Sequence, residues 1–170
     1  KKGKKDNKIH IGIDSYIGVQ SLPEKLDLLN TDEYIRYGTA LLQNAGLGLP
    51  PRFSQLDQPI YNGATQTYRQ TNTDWQDELF RNAIINDNNV SFSTGGERST
   101  FYASAGYFNQ SGIMVGTGFK RSSFRFNSEH DLSKRFKLGQ TLAFSYGDRD
   151  NQYETQGRPN LMHMIRSAPY

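Results

Sequence analysis

The sequence predicts an all-β protein of antiparallel strands, and three features of it do so. Side chains alternate with a period of two in five separate runs. In most runs the bulky apolar residues fall on one row and small or polar residues on the other. The links between runs are alternately long and short, with glycine or polar residues in the short ones.

The first strand is expected over residues 9–20, with Ile9, Ile11, Ile13, Ile17 and Val19 on one row and His10, Gly12, Asp14, Tyr16, Gly18 and Gln20 on the other. Pro23 ends it. A helix is expected to start near Thr31, capped by Asn30 or Thr31, with Asp32 and Glu33 in its first turn. Its apolar stripe is Tyr34, Ile35, Gly38, Leu41 and Leu42, and Gly46, Gly48 and Pro50-Pro51 stop it. Residues 52–73 carry no period and read as an irregular loop in which Tyr61 and Tyr68 are exposed. A short helix follows, capped by Thr73 or Asp74 and running to Arg81, with Trp75 and Leu79 on one docking face. The whole link 21–88 is thus one long loop.

The second strand is placed at 89–95 and the tight turn Gly95-Gly96-Glu97-Arg98 leads to the third at 99–108. There Phe101, Ala103, Ala105 and Tyr107 alternate with Tyr102, Ser104, Gly106 and Phe108, and the alanine row is assigned to the apolar side. The fourth strand, 119–132, sets Phe124, Phe126, Ser128, His130 and Leu132 against Arg121, Ser123, Arg125, Asn127, Glu129 and Asp131. The fifth, 137–147, sets Leu138, Leu142, Phe144 and Tyr146, interrupted by Gln140, against Gly139, Thr141, Ala143, Ser145 and Gly147. A loop, 148–170, closes the chain, with a short helix over 161–166.

The chain has 170 residues with 35% hydrophobic content, and a mean hydropathy of −0.75, low for a large sealed core. No run reaches the roughly 18 to 20 apolar residues of a membrane helix, a test that alternating strands escape. Two arrangements suit the rows: a membrane strand with lipid outside and a wet lumen inside, or two sheets packed face to face as a soluble sandwich. Of the +3 net charge, residues 1–8 alone supply +4 through five lysines and one aspartate, leaving −1 for the remainder. A near-neutral body with a basic tail is not a nucleic-acid surface. Cysteine is absent, so neither a disulfide framework nor a thiolate metal site arises.

Catalytic and metal constellations are not expected. His10, His130 and His163 are far apart in sequence and fit no ligand spacing. Asp148, Asp150 and Asn151 lack the glycine and final glutamate of a calcium loop. The serines lack a nucleophile-elbow context. Asp74 and Asp77 read as capping and surface charges. Tyr61, Tyr68 and Trp75 are the candidate contact residues: their rings can stack on a sugar or meet a peptide, while Trp75 can equally anchor its own helix. Phe101, Tyr107 and Tyr146 stand where a membrane strand carries interfacial aromatics.

Several separated words then carry a resemblance. Tyr16-Ile17-Gly18-Val19-Gln20-Ser21-Leu22-Pro23 is followed by Leu26-Asp27-Leu28-Leu29-Asn30-Thr31-Asp32-Glu33-Tyr34, and later by Asn72-Thr73-Asp74-Trp75-Gln76-Asp77-Glu78-Leu79-Phe80-Arg81. Gly106-Tyr107-Phe108-Asn109-Gln110-Ser111-Gly112-Ile113 and Phe119-Lys120-Arg121-Ser122-Ser123-Phe124-Arg125-Phe126-Asn127 complete the series. In this order they resemble the start of the barrel in SusC/RagA-type TonB-dependent outer-membrane transporters. The resemblance implies a transmembrane antiparallel β-barrel segment, about five strands of a barrel of about 22, with short helices in long extracellular loops. It implies that residues 1–8 form a basic tail following a plug domain and that 9–170 are the N-terminal part of the barrel, a fragment. It further implies a SusD-like surface lipoprotein as lid, energy from the TonB-ExbB-ExbD complex through an absent N-terminal region, and a possible dimer of transporter-lipoprotein pairs. The implied cargo is an oligosaccharide or a peptide, leaning to glycans. The implied location is the cell outer membrane. No enzyme activity or cofactor is implied.

Overall fold

A computed structural model of the chain describes residues 5–151 and 160–170. It divides into two compact units, one holding 1–21 with 82–152 and the other 22–81 with 153–170.

The first unit is a single five-stranded antiparallel meander in the order β1-β2-β3-β4-β5. The strands are β1 (Ile9–Gln20), β2 (Ala83–Gly95), β3 (Ser99–Ser111), β4 (Gly118–Asp131) and β5 (Lys137–Asp150). Residues facing each other across antiparallel strands share a face, so the register can be read across the sheet. Ile13, Val90, Ala105, Phe124 and Phe144 form one such row, and Ile11, Phe92, Ala103, Phe126 and Leu142 form the next. The alanine row of β3 therefore lies on the apolar face, as expected. Its small side chains sit between Val90 and Phe124 and between Phe92 and Phe126. The opposite face carries rows such as Gly12-Ser91-Ser104-Arg125-Ala143 and Asp14-Asn89-Gly106-Ser123-Ser145.

The apolar face is bare. Ile13 is 74% exposed, Leu142 59% and Phe144 63%. A sandwich needs two such faces packed on each other. Here all the apolar rows lie on one side of one sheet, which is the arrangement of a wall between lipid and water. From Leu138 to Tyr146 the apolar band of β5 covers eight residue steps at about 3.4 Å each, close to the ~25 Å hydrophobic height of outer-membrane barrels once tilt is allowed for. Tyr107 and Tyr146 share the row at its loop end, with Ser122 between them. At the other end Phe101 meets His130 edge-on at 5.2 Å, and the imidazole Nδ1 lies 3.0 Å from Ser99 Oγ. Two tight connections sit there: 96–98, closed by the Gly96 N–H donating to Ser99 O at 2.8 Å, and 132–136, closed by paired Ser133 and Phe136 backbone bonds.

Three strand boundaries differ from expectation by more than one residue. β2 starts at Ala83, not 89, so the long link is 21–82. Its run Asn86-Asp87-Asn88-Asn89 reads as loop by propensity, but its side chains bond one another and the neighbouring strand. Asn88 Nδ2 donates to Asn86 Oδ1 at 2.7 Å, Asn89 Nδ2 to Asp87 Oδ1 at 2.9 Å, and Ser15 Oγ to Asn88 Oδ1 at 2.6 Å. β3 runs on to Ser111 and β5 to Asp150, because pairing with β2 and β4 continues past the apolar rows. The expected loop 148–170 accordingly begins at 151, and its residues 152–159, like 1–4 of the expected basic tail, lie outside the described residues.

The second unit begins with α1 (Thr31–Asn44), set by a capping box: the Glu33 N–H donates to Asn30 Oδ1 and the Asn30 N–H to Glu33 Oε2, both at 3.0 Å. Its buried stripe is Thr31, Ile35 and Gly38; Leu41, expected on that stripe, is exposed. Gly38 faces the Phe53 ring so closely that a Cβ there would stand 2.5 Å from Cζ. The helix ends in a Schellman motif, with Gly46 at φ 69°, its N–H donating to Gln43 O and the Leu47 N–H to Leu42 O. Pro51 does more than stop α1: it opens a four-residue helix, α2 (Pro51–Ser54), inside the stretch expected to be irregular. α3 (Trp75–Leu79) and α4 (Asn160–Arg166) complete the unit. Among the described residues no helix is long and apolar enough to cross a membrane, a statement that does not bear on strands.

Candidate functional site

Two surfaces concentrate the chemistry, one in each unit.

In the second unit, the segment 72–77 works as a bracket. The Thr31 N–H donates to Asn72 Oδ1 at 3.1 Å and the Thr31 hydroxyl to Thr71 O at 2.6 Å, which fixes the start of α1. The Thr73 N–H donates to Pro169 O at 2.6 Å. Asp74 caps α3 by accepting from the Gln76 N–H at 2.9 Å. Gln76, 4% exposed, binds the extended segment at Leu26 as a strand would: Oε1 accepts from the Leu26 N–H at 2.7 Å and Nε2 donates to Leu26 O at 2.9 Å. Lys25 Nζ lies 2.8 Å from Asp74 and 2.6 Å from Asp77. Its hydrogen bonds to Asp74 and then Asp77 raise the Lys25 pKa, and the bond from Lys25 holds Asp74 below the ordinary carboxylate range. The aspartates expected to be merely capping and surface charges are therefore also the anchor of Lys25.

These contacts frame a cleft of about 490 Å³ whose walls include Leu26, Leu29, Tyr34, Tyr37, Trp75 and Ile165. α3 docks by the buried Gln76 and by the edge of Trp75, and the apolar surface of the expected Trp75 and Leu79 face is only partly covered: Trp75 is 37% exposed and Leu79 half-buried. The Trp75 indole N–H donates to Ala168 O at 2.7 Å, so the ring is held by its edge with part of its surface open at the cleft.

The three contact residues chosen from the sequence are not brought together. Tyr61 is 67% exposed near Gly63. Tyr68 packs edge-on against Tyr170 at 5.2 Å, and Tyr170 in turn meets Tyr34 at 5.7 Å, with Tyr34 stacked on Phe53 at 5.9 Å. Burial, then the neighbouring Tyr34, pushes the Tyr170 phenol pKa up. Only Trp75 of the three lines the cleft.

The second surface is the polar face of the sheet, whose loop-side rows are Tyr16-Asp87-Phe108-Arg121-Gly147 and Gly18-Ile85-Gln110-Phe119-Arg149. Arg121 lies over the Phe108 ring at 5.6 Å, Phe108 meets Phe119 at 5.9 Å, and Arg149 lies over Phe119 at 5.7 Å. Each exposed cation-ring contact contributes about 0.5–1 kcal/mol. Sequence reading placed Arg121 on the polar row but missed this ladder, because it joins three strands through two registers, that of β3 with β4 and that of β4 with β5. The one available signal was the pair of arginines on polar rows of successive strands. His10, His130 and His163 are held separately: His10 Nε2 lies 2.6 Å from Asp6 Oδ2, His130 meets Ser99, and the His163 carbonyl accepts from Ser167.

A polar face, a bare apolar face, consecutive strands and tight turns confined to one end define a stretch of transmembrane β-barrel wall. No protein-family model matches the chain. It is 30% identical over 121 residues to the TonB-dependent receptor P3 of Formosa agariphila, covering 71% of this chain and 10% of that protein. It is also 30% identical over 149 residues to the TonB-dependent receptor P26 of the same organism, covering 88% of this chain and 14% of that one. To the TonB-dependent receptor SusC of Bacteroides thetaiotaomicron it is 28% identical over 71% of its length and 10% of SusC. Among solved structures, the RagAB peptide importer in its closed-closed state matches all of this chain and 21% of its own with a TM-score of 0.78 at 23% identity. The RagAB peptide transporter matches 97% of this chain and 21% of its own with a TM-score of 0.76 at 22% identity. Over most of its length the chain is thus similar to TonB-dependent receptors of the SusC/RagA-type family, and it has the fold of their barrel wall. It spans only 10% to 14% of the length of the curated relatives that it matches first.

Proposed function

We propose that this chain is the N-terminal part of the barrel of an outer-membrane importer that takes up oligosaccharides with energy from the TonB-ExbB-ExbD complex and a SusD-like lipoprotein as lid. The observation that carries the reading is the two-faced sheet, apolar and bare on one side and polar on the other, in a chain similar to receptors of this family. Residues 9–170 supply the wall and its first long link, and residues 1–8 join them to a plug. In this reading Tyr61, Tyr68 and Trp75 contact cargo or lid, and the part-open indole of Trp75 at the cleft is the best placed for a sugar ring. The importer works as a pair of transporter-lipoprotein units. No catalytic residue, metal or cofactor takes part.

Peptides are the second cargo class, favoured by the likeness to structures described as a RagAB peptide transporter. Growth decides between them. A strain lacking the whole receptor gene is compared with its parent on oligosaccharides and on peptides as sole carbon source. Loss of growth on oligosaccharides alone is the expected result; loss on peptides alone selects the second class. Undiminished growth on both, or failure of any lipoprotein to co-purify with the detergent-extracted receptor, contradicts the proposal.

A further inference from the structure

We infer that the polar face of β4 and β5 is a binding site for an acidic group, a carboxylate or sulfate ester, on the imported oligosaccharide; the inference rests on the reading above. Arg121, Arg125 and Arg149 stand on this face, all exposed. Among the described residues no carboxylate lies within ion-pair reach of any of the three, whereas Lys5, Lys25, Arg69 and Lys137 all have one. Arg121 faces Gly147 across the sheet, and Arg149 is the next residue but one on that strand, so the two are diagonal neighbours within about 8 Å of each other.

The ladder prepares both for an anion. Phe108 and Phe119 take the flat side of each guanidinium, which leaves its edge, a fork of N–H donors, free to meet two oxygens at once. Holding the long side chains on rings reduces the entropy lost when an anion binds. A neutral sugar ring needs only the aromatics; two unpaired guanidiniums on a lumen wall select for negative charge. On this face Asp14 and Asp87 are on β1 and β2, with the β3 residues Gly106 and Phe108 between them and the arginine strands, while Glu129 and Asp131 lie on β4 at the tight-turn end, eight or more residues along the strand from Arg121. The loop end of this face on β4 and β5 is therefore basic.

The test uses the whole receptor in its own outer membrane. An oligosaccharide digest is split on an anion exchanger into acidic and neutral fractions, and depletion of each by cells is followed. Parent cells are compared with Arg121→Gln/Arg149→Gln, Arg121→Lys/Arg149→Lys and receptor-deletion strains at matched receptor levels. The expected result is a drop of about tenfold or more in depletion of the acidic fraction by the glutamine variant. Depletion of the neutral fraction is unchanged, and the lysine variant recovers part of the loss. A carboxyl-reduced aliquot of the acidic fraction separates the two anions, since only sulfate-dependent uptake survives it. Equal loss of both fractions assigns the arginines to packing inside the receptor and overturns the inference. So does parent-level depletion by the glutamine variant. If the double variant does not assemble, single Arg149→Gln is read in the same way. Parent cells that deplete only the neutral fraction overturn the inference and leave oligosaccharide import standing. Parent cells no better than the deletion strain on either fraction overturn both.

Discussion

Replacing Leu142 by arginine in the whole receptor is expected to destabilise the barrel by about 2–4 kcal/mol, while arginine at the adjacent Thr141 changes little. Leu142 is on the apolar face, midway along the band from Leu138 to Tyr146 and beside Phe126. A guanidinium there must leave water for hydrocarbon, and at mid-depth it reaches neither interface by extending its stem. Thr141 is on the polar face beside Asn127, where the same group stays hydrated. The measurement is the fraction of receptor in the outer membrane that migrates as the compact, unheated barrel on a gel. A large fall for Leu142→Arg with Thr141→Arg near the parent level is the expected pattern. Equal behaviour of the two variants contradicts the face assignment.

The second large effect is expected from Gln76→Ala. Its amide is buried and completes both backbone groups of Leu26. Truncation leaves a part-buried N–H and C=O without partners, each costing about 1–3 kcal/mol. The damage is local, since the sheet is a separate compact unit. Hydrogen exchange at the Leu26 amide in the whole receptor should accelerate about 100-fold, the equivalent of about 2.7 kcal/mol, and protease should cut within 24–30 in intact cells. Gln76→Glu should act in the same direction, because a carboxylate cannot donate to Leu26 O. An unchanged Leu26 exchange rate in Gln76→Ala would show that the bracket does not depend on this residue.

What the sequence revealed follows from where the information is local. The faces of β1, β4 and β5 were legible because period two is written in consecutive residues, and the start of α1 was legible as Asn30 or Thr31 from its polar cap and first-turn acids, the capping box then selecting Asn30. The first six residues of β2 were not, because Asn86 to Asn89 have poor strand propensity and are held in the sheet by amides that bond each other and Ser15. The short helix at Pro51 was missed because a proline pair reads as a stop, although proline is equally suited to the first helical position. In the candidate sites, Trp75 was found as an isolated aromatic, but Gln76 beside it was not. Its importance depends on Leu26, 50 residues away in sequence. The arginine ladder was out of reach for the same reason: Arg121, Phe108, Phe119 and Arg149 become neighbours only once β3, β4 and β5 are in register.

The central claim is that one face of this sheet meets lipid and the other a wet lumen, and a nitroxide scan of β5 in the reconstituted whole receptor tests it most directly. Spin labels are placed singly from Lys137 to Asp150, and their collisions with oxygen, which concentrates in lipid, and with a water-soluble nickel chelate are measured. The account predicts two waves of period two in opposite phase, with oxygen highest at Leu138, Leu142, Phe144 and Tyr146 and nickel highest at Gly139, Thr141, Ala143 and Ser145. Waves in phase, or nickel access on both faces, would contradict it.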